Sequence, residues 1–599
     1  MTTRLFDEQV PVSGEIQFWR VDPRRWAAVL DATLGLGIRH VATYLSWRRH
    51  EPVPGVVDFS DPRWDVRRFL ALCRERDIGV QVKPGPWICA EEPGGGLPDW
   101  VLDNDGIMAR DHAGRVVLGY NPPFRHPVPS YASEEYRRLV TGWYAAVVGE
   151  IGDLLAPGGV VEAVQLDNEP SAAFQDAMFR SDYSPPALAR FRDFVIARHG
   201  SAPAARRAWG LVAGDPADIE PPRPGASASQ QHRSDWIAFQ EHYISDYLAF
   251  LRGTLADLGV RHAATVVNLN THPVRGLPQS GERIVGRLRQ ATDHGPIVVG
   301  EDHYFEPPID EGDLMQLELG AALGIASGTD LVWSPELQAG IWRSPGEVVR
   351  YPDPLDGELA AWWGLALAYG YQGFNLYMLA DRENWQYAPL GRDGHATPGA
   401  GLLDELLRTL GAIPELRAYR PVPAVNLVWD RQVLERAFAA VGTQAEPVEP
   451  WTDSAATRDW HETLQIARRL TAAGLPYRLC RTPGDLVADL PTYGPEGLGE
   501  HWRSAPLRRS GDLPPAPIAA EEAGVAVRRL VHPGGAEIVV AVAWRRRDEG
   551  GAVSLRRAEG WPGGLTDCAT GATYRPVEGS IRVPMPALGV RVFRVAGAS

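Results

Sequence analysis

Over residues 1–415, short apolar runs that read as strands alternate with segments of helical periodicity, and this alternation restricts the fold more than any other feature of the chain. GEIQFWR (14–20) opens the series. Asp22-Pro23 then supplies an N-cap and a first-turn proline, with Trp26, Val29, Leu30 and Leu34 at helical spacing behind them. HVATYLSW (40–47) follows, then a helix carrying Val66, Phe69, Leu70 and Cys73 on one face, then IGVQVKPG (78–85). A helical stretch over 134–155 leads to VEAVQLDNE (161–169), and a polar, Pro- and Ala-rich insertion spans 171–230. A long helix over 234–258 precedes HAATVVNLN (262–270). PIVVGEDHY (296–304), TDLVWSPEL (329–337) and GFNLYML (373–379) complete the set. Eight apolar strands separated mostly by helices predict a closed parallel (β/α)8 barrel of the TIM type. A doubly wound open sheet is the rival, but no Gly-rich phosphate loop follows the first strand.

Beyond residue 415 the texture changes. AVNLVWD (424–430), the helical TLQIARRLTAAGL (463–475) and PYRLC (476–480) predict a small α/β domain over 416–500. Short alternating runs such as VAVRRLV, AEIVVAVAW and SIRVPMP predict a β-sandwich over 501–599. A net charge of −15 with interspersed signs speaks against nucleic acid or an anionic membrane as partner. MTTRLFDEQVPVSGEIQFWR has no basic region followed by an apolar run, so neither signal peptide nor membrane helix is expected and a cytoplasmic location is the default. Cys73, Cys89, Cys480 and Cys568 are scattered, which indicates neither a disulfide framework nor a zinc cluster.

Chemistry in such a barrel sits at the C-terminal ends of the strands. The second strand delivers Tyr44 and Trp47 there, the third Cys89, Ala90 and Glu91, and the fourth Asn168 and Glu169. The sixth delivers Glu301, His303 and Tyr304, the seventh Glu336, and the eighth Asn375 and Tyr377, with Trp385 beyond. Several carboxylates with aromatics and an amide suit cleavage of a glycosidic bond, one carboxylic acid protonating the leaving oxygen and the other attacking the anomeric carbon or activating water. Metal chemistry would draw on similar acids, but His303 is the one histidine well placed, and phosphoryl transfer would want basic residues that are few here. No cofactor and no metal site are expected.

GPWICAEEPGGGLPDWVL (85–102) resembles the signature loop of glycoside hydrolase family 35, the β-galactosidases. VATYLSWRRHEPVPGVVDFS, VEAVQLDNEP and GFNLYM resemble that family's second, fourth and eighth strand segments. The similarity is strong over 14–170 and patchy to about 400. VWSPELQAGIW, LALAYGYQGFNLYM and the two terminal domains are closer to glycoside hydrolase family 42, which shares the clan barrel, although that family's zinc cysteines are absent.

The resemblance implies Glu169 as general acid/base with Asn168 on the sugar 2-hydroxyl, and Glu91, with Cys89 and Ala90, on the galactose 3- and 4-hydroxyls. Tyr44 and Tyr377 carry over as substrate contacts. Glu336 is the expected nucleophile, with Tyr304 donating to it. Glu301 is the rival nucleophile, because GPIVVGEDHY also aligns with the family 35 segment; if Glu301 lay on the seventh strand, GFNLYM would become a ninth. Cys89 is read as a small buried thiol rather than a nucleophile. Lys83 stands where the family has Arg, Trp87 where it has Tyr, and Pro170 where it has an aromatic, departures that bear on sugar identity and not on a two-carboxylate mechanism. The expected activity is therefore that of a retaining exo-β-glycosidase on a glycoside or oligosaccharide, best read as a β-galactosidase. Activity on another sugar (glucose, glucosamine, arabinose or fucose) and a catalytically silent carbohydrate-binding barrel are the alternatives, and the small α/β domain offers a surface for a homo-oligomer.

Overall fold

The structure is a computed structural model that describes residues 4–121, 124–170, 181–212, 219–224, 226–269, 281–291, 295–343, 352–355, 357–442, 457–508, 512–546 and 551–597. Its centre is a closed barrel of eight parallel strands: β1 (Val12–Glu15), β2 (His40–Tyr44), β3 (Gly79–Lys83), β4 (Val161–Gln165), β5 (Ala264–Leu269), β6 (Ile297–His303), β7 (Trp333–Gln338) and β8 (Gly373–Tyr377). Neighbours follow chain order, and β8 closes on β1 with Val12 opposite Phe374 and Ser13 opposite Asn375. Nearly every strand residue is buried because helices cover the outside and side chains fill the inside, which is why the strands read as continuous apolar runs. The expected helix face of Val66, Phe69, Leu70 and Cys73 is fully buried. At the N-terminal end of the barrel, Leu5 and Phe6 form a plug, with Phe6 edge-on to Trp333 at 5.5 Å.

Two local expectations are corrected. The strand in GEIQFWR ends at Glu15, and Phe18–Arg20 winds into a 3-10 turn whose carbonyl at Phe18 accepts the indole N–H of Trp26 at 2.9 Å. Asp22-Pro23 lies in the turn ahead of the helix Trp26–Gly35 rather than at its cap: Asp22 Oδ1 accepts the Arg24 N–H at 2.9 Å, and the chain enters the helix two residues later. Among the described residues, the insertion expected over 171–230 holds the helices Pro185–His199 and Ala202–Ala208; residues 171–180, 213–218 and 225 lie outside the described residues.

Beyond the barrel, Tyr477–Cys480, Val425–Val428, Thr492–Tyr493 and Leu507–Arg508 form, in that order, a parallel sheet. The helices Arg431–Gly442 and Arg458–Ala472 belong to the same small domain. The last part is a β-sandwich of six- and three-stranded antiparallel sheets around Val539, Val553, Ile581 and Phe593, and Arg420–Pro421 joins the larger sheet at its edge. The helix Glu358–Tyr369 (ELAAWWGLALAY) is buried on every side. It lies between the barrel and the sandwich strands Glu537–Ala543 and Gly589–Val595, and a helix apolar all round needs such double cover. Gly364 permits the contact: a Cβ there would sit 2.6 Å from Val590 Cβ. Among the described residues, no helix is long and apolar enough to cross a membrane.

Candidate active site

The loop after β3 is fixed from three sides. Trp143 Nε1 donates to the Pro84 carbonyl at 2.7 Å and Tyr144 Oη to that of Gly85 at 2.6 Å, so the helix Glu134–Ile151 clamps its start. Asp167, two residues before Glu169, accepts the Trp87 N–H at 2.9 Å, which ties the loop to the end of β4. Gly94, Gly95 and Gly96 all have positive φ, and a Cβ on Gly95 would lie 1.7 Å from Trp87 Nε1, so glycine is obligatory there.

This loop sorts its two adjacent acids. Glu92 is buried and paired with Arg49 (2.7 Å), with Arg20 at 3.5 Å, so it holds the loop. Glu91 turns the other way and accepts from Arg382 Nη2 at 2.5 Å. Cys89, Ala90 and Glu91 have φ of 54°, 51° and 47°, three non-glycine residues in succession in the left-handed region, each costing on the order of 1–3 kcal/mol. Arg20 Nη2 on the Ala90 carbonyl at 2.8 Å helps to hold them there. Burial, then the charges of Glu169, Glu91 and Glu336, push the Cys89 thiol well up, so it stays protonated beside the acids and is a poor nucleophile.

Glu336, at the end of β7, is buried and receives two phenolic hydroxyls. Tyr44 Oη lies 2.6 Å from its Oε1, and Tyr304 donates to its Oε2. Tyr44 Oη is also 2.7 Å from Asn168 Oδ1, so its single proton is divided between these two acceptors, and Asn168 Nδ2 donates to Glu169 Oε2 at 3.3 Å. A continuous polar path thus crosses the mouth from Glu169 on the β4 side to Glu336 on the β7 side. Burial, then Asp302, Glu336 and Glu91, hold the Glu169 carboxyl well above the usual range. Tyr377, buried, accepts from Gln17 Nε2 (3.2 Å) and Arg382 Nη2 (3.3 Å) and stands edge-on to Trp385 at 5.1 Å, forming a wall with Tyr304.

The nine residues expected to act in catalysis or sugar binding lie at this mouth or on the loop that shapes it, but two further strand-end residues of β6 are corrected. Glu301 and His303 point away from the mouth. Glu301 lines a cleft with Leu323, Trp333 and Arg481 outside the barrel, and His303 Nε2 meets the Tyr371 hydroxyl. The inward residue between them is Asp302, which strand alternation identifies once the register is known. Arg382 was missed because nothing in its neighbourhood forms a motif. Lys83 and Glu15 were not paired because β1 and β3 meet only in the closed barrel.

Residues 7–118 match the model of glycosyl hydrolases family 35. Those residues include β1 to β3 and the loop that carries Glu91. Among curated proteins, the chain is 27% identical over 390 residues to a β-1,2-glucosyltransferase of Ignavibacterium album, covering 62% of this chain and 51% of that one. It is 32% identical over 164 residues to human β-galactosidase, covering 27% and 21%. The chain therefore spans about half, or less, of the length of these relatives. Its fold resembles that of a family 42 β-galactosidase from G. stearothermophilus over 98% of both chains, with a TM-score of 0.70 at 13% identity. The segment that matches the family 35 model thus lies in a barrel whose fold, terminal domains included, resembles that solved structure.

Proposed function

We propose that the chain is a retaining exo-β-glycosidase that releases terminal β-galactosyl residues, with Glu169 as general acid/base and Glu336 as nucleophile. The observation that carries this reading is the path Glu169–Asn168–Tyr44–Glu336, which links a carboxyl whose pKa its surroundings raise to one within reach of two phenolic hydroxyls across the mouth. In the first step Glu169 gives its proton to the glycosidic oxygen while a Glu336 oxygen bonds to the anomeric carbon. In the second, Glu169 takes a proton from water, which displaces Glu336. Retention asks for carboxyl groups about 5 Å apart, a spacing that opposed strands of a small barrel can supply. Glu91, fixed by Arg382, accepts from two sugar hydroxyls and favours an axial 4-hydroxyl, and Tyr377 and Trp385 supply an apolar wall. We place it in a reducing, cytoplasmic setting, in keeping with four cysteines of which none is joined in a disulfide.

A second reading, transfer of a glucosyl unit to another sugar, is favoured by the match to the β-1,2-glucosyltransferase over 62% of the chain. It uses the same glycosyl-enzyme intermediate, with a sugar hydroxyl in place of water. The test is hydrolysis of a panel of p-nitrophenyl glycosides by the full chain and by Glu169→Ala and Glu336→Ala, with azide added. Galactoside cleavage, abolished in Glu336→Ala and rescued by azide to a glycosyl azide of inverted configuration, is the expected result. Rescue to the opposite anomer overturns the nucleophile assignment. Preference for glucosides with transfer to added disaccharide selects the second reading.

A further inference from the structure

Successive residues of a strand face opposite sides. With Glu301 and His303 directed at the surrounding helices, Asp302 is directed into the mouth, and its Cα is paired in register with that of Glu336. Its carboxyl approaches that of Glu169 within hydrogen-bonding reach. Two carboxyl groups hold such a bond only when one of them carries a proton, because an ionised carboxylate is acceptor-only. The charged and titratable groups facing the pair are Glu336 from β7, Glu91 and Cys89 from the loop after β3, and Tyr304 from the loop after β6. Of the cations nearby, Lys83 is paired with Glu15, and Arg382 with Glu91.

We propose that Asp302 is a positioning residue that shares one proton with Glu169, keeps it there at neutral pH and aims it at the departing oxygen. The inference rests on Glu169 being the acid/base. During glycosylation the shared proton leaves with the aglycone oxygen as the C–O bond breaks and Glu336 bonds to the sugar, so the pair is left with no proton. In the second step the proton of the attacking water restores it. Two bare carboxylates in contact repel, so loss of the shared proton sharpens Glu169 as a base. Burial raises both carboxyls, and the Asp302 charge raises Glu169 further, in the direction the sharing requires.

The experiment compares the full chain with Asp302→Asn, Asp302→Ser and Asp302→Glu, using kcat/KM against pH on two glycosides of one sugar: an activated aryl glycoside and an alkyl glycoside. Asp302→Asn removes the negative neighbour, so the basic limb of the profile moves to lower pH, by about one unit or more. On the alkyl glycoside, which needs its leaving group protonated, kcat/KM at neutral pH falls on the order of 100-fold while the aryl glycoside is nearly unaffected. Asp302→Ser shifts the limb the same way should the asparagine variant fold poorly, and Asp302→Glu recovers part of the loss. A basic limb left at the wild-type position, or equal losses on both substrates with the melting temperature unchanged, overturns the role of Asp302. If Glu169→Ala itself loses equally on both substrates, the acid/base reading falls and the role of Asp302 falls with it.

Discussion

Lys83 Nζ lies 2.7 Å from Glu15 Oε2 and 3.8 Å from Glu336 Oε1, with both Lys83 and Glu15 fully buried. Asn375 Nδ2 donates to the same Glu15 oxygen at 3.1 Å and Asn375 Oδ1 accepts from Ser13 Oγ at 2.7 Å, so β1, β3 and β8 meet in one polar cluster beside the β7 carboxylate. The ammonium stands 4.6 Å from the centre of the Tyr44 ring, the tyrosine that binds Glu336. Removing one partner of a buried pair strands the other charge, so Lys83→Met is expected to cost about 3–5 kcal/mol in urea unfolding. Adding Glu15→Leu recovers most of that stability and none of the activity, because the positive charge beside Glu336 is still missing. Recovery of activity in the double variant would make the pair purely structural.

The two hydroxyls on Glu336 differ in what they hold besides it. Tyr304 serves Glu336 alone at this site, whereas Tyr44 also contacts Asn168. A hydrogen bond to a charged group contributes about 1.5–3 kcal/mol, so Tyr304→Phe is expected to lower kcat by roughly 10- to 100-fold. Tyr44→Phe costs at least as much and also weakens KM, since Asn168 loses an anchor. Burst kinetics on an aryl glycoside locate the slowed step.

Arg382 holds Glu91 and touches Tyr377, and its guanidinium lies 5.8 Å from the centre of the Trp385 ring. Arg382→Met leaves Glu91 without that partner beside the other acids, and KM is expected to rise by at least about tenfold with a smaller change in kcat. Arg382→Lys keeps the charge but loses the fixed fork, and it recovers part of the effect. A pure kcat loss would place Arg382 with the reacting carboxyls instead.

The barrel was legible in the sequence because its strands are buried on both faces and so stand out as apolar runs between amphipathic helices. The ends were less legible. Phe18 and Trp19 read as strand because both are apolar and buried, whereas the Arg20 and Val21 N–H groups bond back to the Gln17 and Phe18 carbonyls and close a turn. At the site, residues carried on short motifs (Glu91, Asn168, Glu169) were found. So was Glu336, through the count of strands. Asp302 was passed over although its neighbours on both sides were chosen, because the inward side of a strand depends on register with β7, which no run of residues states. Arg382 and the Lys83–Glu15 pair depend on contacts made only when distant strands close into a ring.

Arg528 and Glu318 join the parts of the molecule. Both are buried, and the guanidinium binds the carboxylate through Nε at 3.1 Å and Nη2 at 2.9 Å. Nη2 also reaches the Thr471 carbonyl at 3.3 Å, so one side chain of the sandwich contacts a barrel helix and a helix of the small domain. Arg528→Met is expected to destabilise by about 3–5 kcal/mol and Arg528→Met with Glu318→Leu by much less. Differential scanning calorimetry of the three proteins checks both the size and the coupling.

Asp167 gives a prediction whose sign follows from burial. Its carboxyl accepts from the Trp87 N–H at 2.9 Å and the Tyr247 hydroxyl at 3.0 Å, and both bonds favour the charged form. Burial outweighs them and pushes the group up to about 7 from an ordinary 3.8. The folded state therefore binds this proton more tightly than the unfolded chain. Its stabilising contribution is complete below the unfolded value, declines as the pH rises through about 4 to 7, and is gone above that range. In Asp167→Asn the side chain can still accept from Trp87 and can donate to the Tyr247 oxygen, and it no longer titrates. The variant is thus expected to lose less melting temperature than the wild type between about pH 5 and pH 8, and to be the more stable of the two at the upper end. Other raised carboxyls such as Glu15 act in both proteins alike, so the difference isolates Asp167. Parallel curves for the two proteins would mean that the Asp167 carboxyl is already ionised across the range and that its two donors, rather than burial, set its charge.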